Sequence, residues 1–123
     1  MAVPGNPASR KGRRLMKVSE IVAMTDIRPI NEYRDRDVDQ VYISDMVSDI
    51  ITGAKANSVL ITLQTHKSLV AAANLVNVAM VVIVRGRKPT EDVIELANRA
   101  GIGLFTYDLD TWAFAKKLTE LGY

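Results

Sequence analysis

The chain has 123 residues, 48% of them apolar and 24% charged, which suits one soluble globular domain with a single core. Its longest strictly apolar run, Val78 to Val84, is seven residues, far short of the ~20 that a membrane-spanning helix needs; no secretory leader is expected either. Cysteine is absent, which excludes disulfides, thiolate metal sites and cysteine nucleophiles and fits a cytoplasmic protein.

The net charge of +2 is unevenly spread. Arg10, Lys11, Arg13 and Arg14 lie in the first 14 residues with no acid among them. Residues 15–123 carry the other 12 cations and all 14 acids, a net of −2. A nucleic-acid-binding body needs a basic excess that this one lacks. The Pro-, Gly- and Arg-rich start has little to bury, so residues 1–15 are expected to form a disordered basic extension, and 16–123 to form the domain.

Apolar residues at 18, 21, 22 and 24 predict a short helix. Asp26 to Tyr33, with Pro29 inside it, reads as an edge strand and turn, and Arg34 to Asp39 as a solvated charged loop. Val41 to Ile43 is a short strand, after which Ser44 is placed to cap a helix over 45–55. Three similar units follow. Val59 to Leu63 leads to a helix over 67–76. Ala79 to Val84 leads to a helix over 91–100, with Thr90 as N-cap and Gly101 after its end. Ile102 to Thr106 leads to a helix over 110–121, begun by Asp108 or Asp110, with Trp112, Phe114, Ala115, Leu118 and Leu121 at apolar positions. Continuous apolar strands alternating with helices predict an α/β fold: a small three-layer α/β/α domain with a mostly parallel sheet of four to five strands.

Several chemistries are missing. No G-x-x-x-x-G-K-[ST] phosphate cradle occurs, and Gly101-Ile102-Gly103 precedes a strand where a dinucleotide fingerprint would follow one. Asp35, Asp37 and Asp39 have calcium-loop spacing, but Gln40 stands where the loop needs glycine and Met46 where it needs glutamate. His66 is the only histidine, so no multi-histidine metal site is expected, and no cofactor is called for.

In an open parallel sheet, ligands sit outside the carboxyl ends of the strands, where backbone N–H groups and helix N-termini converge. Here those ends carry Ser44 and Asp45, then Gln64, Thr65, His66 and Lys67, then Arg85, Gly86 and Arg87. Thr65 and His66 precede a helix and offer a hydroxyl, an imidazole and N–H groups to an anion. Gly86 lets the backbone approach closely, and guanidinium groups on either side suit phosphate or carboxylate. These nine residues are the candidate ligand site. Capping of the helix by Thr65, solvation of Lys67, and pairing of the basic loop with Glu91 and Asp92 are the structural alternatives.

The string Leu60-Ile-Thr-Leu-Gln-Thr-His-Lys67 with Ala71 to Leu75 behind it, the Ser44-Asp-Met-Val-Ser-Asp49 helix start, the strand and Arg-Gly turn at 81–86, and the closing Phe114 to Gly122 together resemble the DRTGG-domain family. The resemblance covers about residues 16–123. It implies a fold similar to the N-terminal domains of HPr kinase/phosphorylase and of Mur ligases of the MurF type. It also implies a regulatory module, found beside CBS, phosphotransacetylase or kinase domains or standing alone, without a P-loop kinase half. The resulting expectation is a non-catalytic regulatory or ligand-binding module for a small anionic ligand such as a nucleotide, working as a homodimer or with a protein partner and away from membranes. The alternatives are a protein-interaction or scaffold subunit without a small ligand and, last, a small enzyme using His66 with Asp45 or Asp108.

Overall fold

The computed structural model describes residues 15–123. The extension expected over 1–15 lies outside them except for Leu15.

Four strands run parallel in chain order: β4 (Gln40–Ile43), β5 (Ser58–Thr62), β6 (Met80–Ile83) and β7 (Gly103–Thr106). Their register joins Val41 to Val59, Leu60 to Val81 and Val82 to Phe105. The short β2 (Arg28–Pro29) closes the far edge antiparallel to β7, giving the order β2-β7-β6-β5-β4. Pro29 lacks an amide donor, which explains its place on an edge. The central strands are buried throughout, as their unbroken apolar runs require when both sheet faces are covered.

Alternate residues of each strand feed two cores. Leu60, Val81, Ile83 and Leu104 meet α2 (Val47–Gly53), α3 (Lys67–Leu75) and α4 (Glu91–Ala100) through Ile50, Leu69, Ala73, Val93 and Ala97. Val59, Ile61, Val82, Phe105 and Tyr107 meet α1 (Val18–Met24) and α5 (Thr111–Glu120) through Ile21, Phe114 and Leu118. Three successive crossovers of one hand place α2, α3 and α4 on one face. The chain changes face after β7. This is the three-layer arrangement with a mostly parallel sheet that the apolar periodicity predicts.

Element ends follow local chemistry. Thr90 and Gly101 bound α4, with Gly101 left-handed at φ 72°. Asp110, rather than Asp108, caps α5 by accepting from the Ala113 N–H. Ser44 does not cap α2: its hydroxyl accepts from Met46 N, and the helix starts two residues later at Val47.

The segment 34–39 is not a solvated loop. Val38 is fully buried, and β3 (Asp37–Val38) pairs with β1 (Met16–Lys17). Asp35 accepts from the amide and hydroxyl of Ser19, and Asp37 pairs with Lys17 at 2.8 Å. Arg36 reaches the main sheet: its Nη1 donates to Val78 O at 2.9 Å, and its Nη2 to Asn57 Oδ1 at 2.7 Å and Asn77 O at 3.2 Å. Asn57 and Asn77 are left-handed (φ 63° and 60°) just ahead of β5 and β6, a conformation asparagine tolerates better than most residues. Asn31 clasps the opposite edge, donating to Ile102 O and Asn98 Oδ1 and accepting from Leu104 N. Trp112 lies outside the core. It is 73% exposed, while Phe114 and Leu118 face the core, because it lies on the far side of the helix from Phe114.

Candidate functional site

All nine candidate residues lie at the carboxyl ends of β4, β5 and β6, but the structure divides them into three groups. Ser44, Asp45 and Gln64 line an open depression of about 690 Å³ with Met46, Val47 and Asp49. Asp45 is engaged there: its Oδ1 accepts from Leu63 N at 2.7 Å and from Thr62 Oγ1 at 3.1 Å. Gln64 donates to the Asp45 carbonyl. These bonds tie the β4–α2 loop to the end of β5 and use N–H groups that an anion would otherwise meet.

Thr65, His66 and Lys67 line a separate cavity of about 470 Å³, shared with Ser68, Lys88, Thr90, Asp92 and Val93. Two helices of adequate length open onto it. His66 is the N-cap of α3 and Thr90 that of α4, and neither side chain accepts an N–H of its own helix. The partial positive charge of both helix ends therefore meets the ammonium groups of Lys67 and Lys88 at one opening. Asp92 is the counter-charge. It accepts from the Thr90 hydroxyl and lies 3.2 Å from Lys67 Nζ. The Thr90 bond first, and the Lys67 bond next, hold its carboxyl below the usual range. Lys67 is therefore paired, not simply solvated, and its partner sits in the first turn of α4.

Arg85, Gly86 and Arg87 do not line that cavity. They belong to a turn from Val84 to Arg87 in which Arg85 and Gly86 both have positive φ (62° and 66°) and Arg87 N donates to Val84 O, as in a type I′ turn. Arg85 N donates to Leu109 O at 2.7 Å and Gly86 N to Tyr107 O at 2.8 Å. Those bonds close the crevice between β6 and β7, where α4 and α5 diverge to opposite faces and a ligand crevice would ordinarily open. The open cavity is the one between the β5–α3 and β6–α4 loops. Asp108, beyond β7, is held by Arg28 through two bonds of 2.9 and 3.2 Å; the Arg28 hydrogen bond, then its charge, lowers the Asp108 pKa.

Lys88, Thr90 and Asp92 complete the cavity but escaped the sequence-based selection, which favoured the arginines beside Gly86. The available signal was Thr90 itself: a helix cap on the loop next to His66 brings its neighbours to the same opening. Among the described residues, no cluster of three or more potential metal-ligating His, Asp or Glu side chains occurs, and no helix is long and apolar enough to cross a membrane.

The architecture defines a class: a small three-layer α/β domain with a basic cleft at the carboxyl ends of its parallel strands. The chain belongs to the DRTGG domain family, whose model matches residues 20–121, in agreement with the resemblance carried by Ser44–Asp49 and Leu60–Lys67. Among solved structures it is similar to the CBS and DRTGG domains of the regulatory region of Clostridium perfringens pyrophosphatase, complexed with its activator diadenosine tetraphosphate. The TM-score is 0.68 and the identity 16%, with 82% of this chain and 45% of that chain covered. The likeness is one of fold, and the chain spans a little under half of that regulatory region. No curated protein matches the chain.

Proposed function

We propose that this domain is a non-catalytic regulatory module that binds a small phosphate-bearing anion of the nucleotide class between the β5–α3 and β6–α4 loops. The observation that carries the reading is the meeting of Lys67, Lys88 and two helix N-termini without side-chain caps around one cavity of about 470 Å³. Thr65, His66 and Lys67 hold the anion in this reading. Arg85, Gly86 and Arg87 flank it, and Ser44, Asp45 and Gln64 shape the adjoining loop. The similar pyrophosphatase region is itself regulatory and takes a nucleotide activator, which supports the class of function. His66 stands in this reading as the N-cap of α3 at the mouth of the cavity.

A thermal-shift and calorimetric series with inorganic phosphate, AMP, ADP and ATP tests this. A ligand at a hundred times its dissociation constant adds about 2.7 kcal/mol, a rise of roughly 10 °C for a domain of this size. Lys88→Ala, at an exposed position, is expected to abolish the shift without changing the ligand-free melting point. A flat series refutes the reading.

A second reading, self-association, has its own observation. An apolar groove of about 380 Å³ runs between β4 and α5, lined by Val41, Ile43, Ala115 and Leu118, and Trp112 stands exposed on the same helix. A second copy covering this face makes the expected homodimer. Sedimentation equilibrium decides: a dimer that Trp112→Asp converts to monomer supports this reading, and a wild-type monomer leaves the face to a different protein partner.

A further inference from the structure

The turn that ends β6 is built against its own backbone preference. Arg85 is left-handed at φ 62°, a region that side chains with a Cβ avoid and that glycine or asparagine usually fills. The other two non-glycine residues with positive φ among the described residues are both asparagines. Nothing within the fold repays the choice. The side chains of Arg85, Arg87 and Lys88 make no hydrogen bond or ion pair among the described residues, and the carboxylate nearest the turn, Asp108, is engaged by Arg28. The backbone is nevertheless fixed, by Val84 N to Thr62 O, Arg85 N to Leu109 O and Gly86 N to Tyr107 O. A rigid turn thus displays the guanidinium groups of Arg85 and Arg87, beside Lys88, whose charge acts on Asp108. Lys88 lines the phosphate cavity, and three residues of chain put Arg85 within about 11 Å of it.

We infer that the turn 84–88 extends the cavity into a track for a chain of phosphates, so that the ligand is an oligophosphate rather than a monophosphate. The inference rests on the cavity binding phosphate, as proposed above. Within the cavity, Asp92 offsets part of the Lys67 charge, so Lys88 and the helix ends join Lys67 in meeting a first phosphoryl group. The planar guanidinium groups of Arg85 and Arg87 offer paired donors to the next ones. Retaining arginine in a left-handed position is then explained by what its side chain holds.

The test is calorimetry at constant ionic strength with inorganic phosphate, pyrophosphate and tripolyphosphate. Wild-type protein is expected to bind each longer anion roughly tenfold more tightly, the size of one added charge-assisted hydrogen bond. Arg85→Gly with Arg87→Ser is expected to erase those increments, so that pyrophosphate and tripolyphosphate bind this variant no more tightly than phosphate does. Arg85→Gly alone should leave the melting temperature unchanged or raise it. If phosphate binds but chain length does not matter, or the increments survive in the double variant, the track is overturned while the cavity reading stands. If no phosphate binds at all, the cavity reading fails and the track with it. A marked fall in melting temperature for Arg85→Gly assigns Arg85 a role in folding and also overturns the inference.

Discussion

Replacing Arg36 with alanine strikes the joint between the N-terminal segment and the sheet. Three bonds go at once, to Val78 O, Asn57 Oδ1 and Asn77 O. Hydrogen bonds made by a charged group contribute about 1.5–3 kcal/mol each, but the three do not add in full. Asn57 and Asn77 are exposed and regain water, whereas Val78 is buried. Only its carbonyl is left without an easy replacement. The guanidinium is itself partly desolvated: burial first, and the Arg34 charge second, lower its pKa. Burial of the ion therefore offsets part of what its bonds contribute. The expected loss is about 2–3 kcal/mol, or a fall of roughly 10–20 °C in melting temperature. Arg36→Lys, with a single donor head in place of the fork, should lose about half of that. Urea unfolding followed by far-UV circular dichroism is the assay, because Trp112 is too exposed to report packing. Arg36→Ala within about 0.5 kcal/mol of wild type, the range of an ordinary surface change, would refute the clamp.

Asn31→Asp keeps the acceptor for Leu104 N but sets a carboxylate against Asn98 Oδ1 and the Ile102 carbonyl. A loss of about 2–3 kcal/mol at neutral pH is expected, smaller in acid where the carboxyl regains a proton to donate; melting curves between pH 4 and pH 7 check both. The Asp108 pKa is depressed by Arg28, so the pair stabilises above the ordinary carboxylate range near pH 4 and is lost as pH falls through the folded value. Arg28→Ala should therefore lower stability slightly at neutral pH, where an exposed pair contributes weakly, and flatten the acid limb of the stability profile by the same small amount; unchanged acid limbs would dispose of the linkage. Asp92→Asn releases Lys67 from its partner and should tighten phosphate binding several-fold, read by calorimetry. Weaker binding would mean that Asp92 positions the ligand instead of competing with it.

The three units starting near Val59, Ala79 and Ile102 were legible because each couples an unbroken apolar strand to a helix of apolar period, and both signals are local. What stayed hidden is non-local. Asp35, Arg36 and Asp37 look like a solvated run, and nothing nearby in sequence shows that Arg36 bonds to residues 57, 77 and 78 or that Val38 closes a core. Ser44 met the rule for a cap, but Asp45 is drawn to Leu63 N and delays the helix. Trp112 fitted the helical period loosely, and only the placement of Phe114 and Leu118 shows that it faces outward. The candidate site divides in the same way. The loops at the carboxyl ends followed from the strand pattern, whereas the sharing of one cavity by His66 and Lys88 depends on α3 and α4 lying side by side.

The order of strands carries a consequence for synthesis on the ribosome. From β4 to β7 each new strand lies beside the one just made, so the sheet can grow as the chain emerges. The first strands made cannot join it then. β2 waits for Phe105 and Thr106, Asn31 for Leu104, and Arg36 for Val78. The nascent chain should thus keep its amino-terminal quarter available to chaperones until almost the whole domain has left the exit tunnel, and protease protection of stalled chains should appear at residues 40–83 before it reaches residues 16–38.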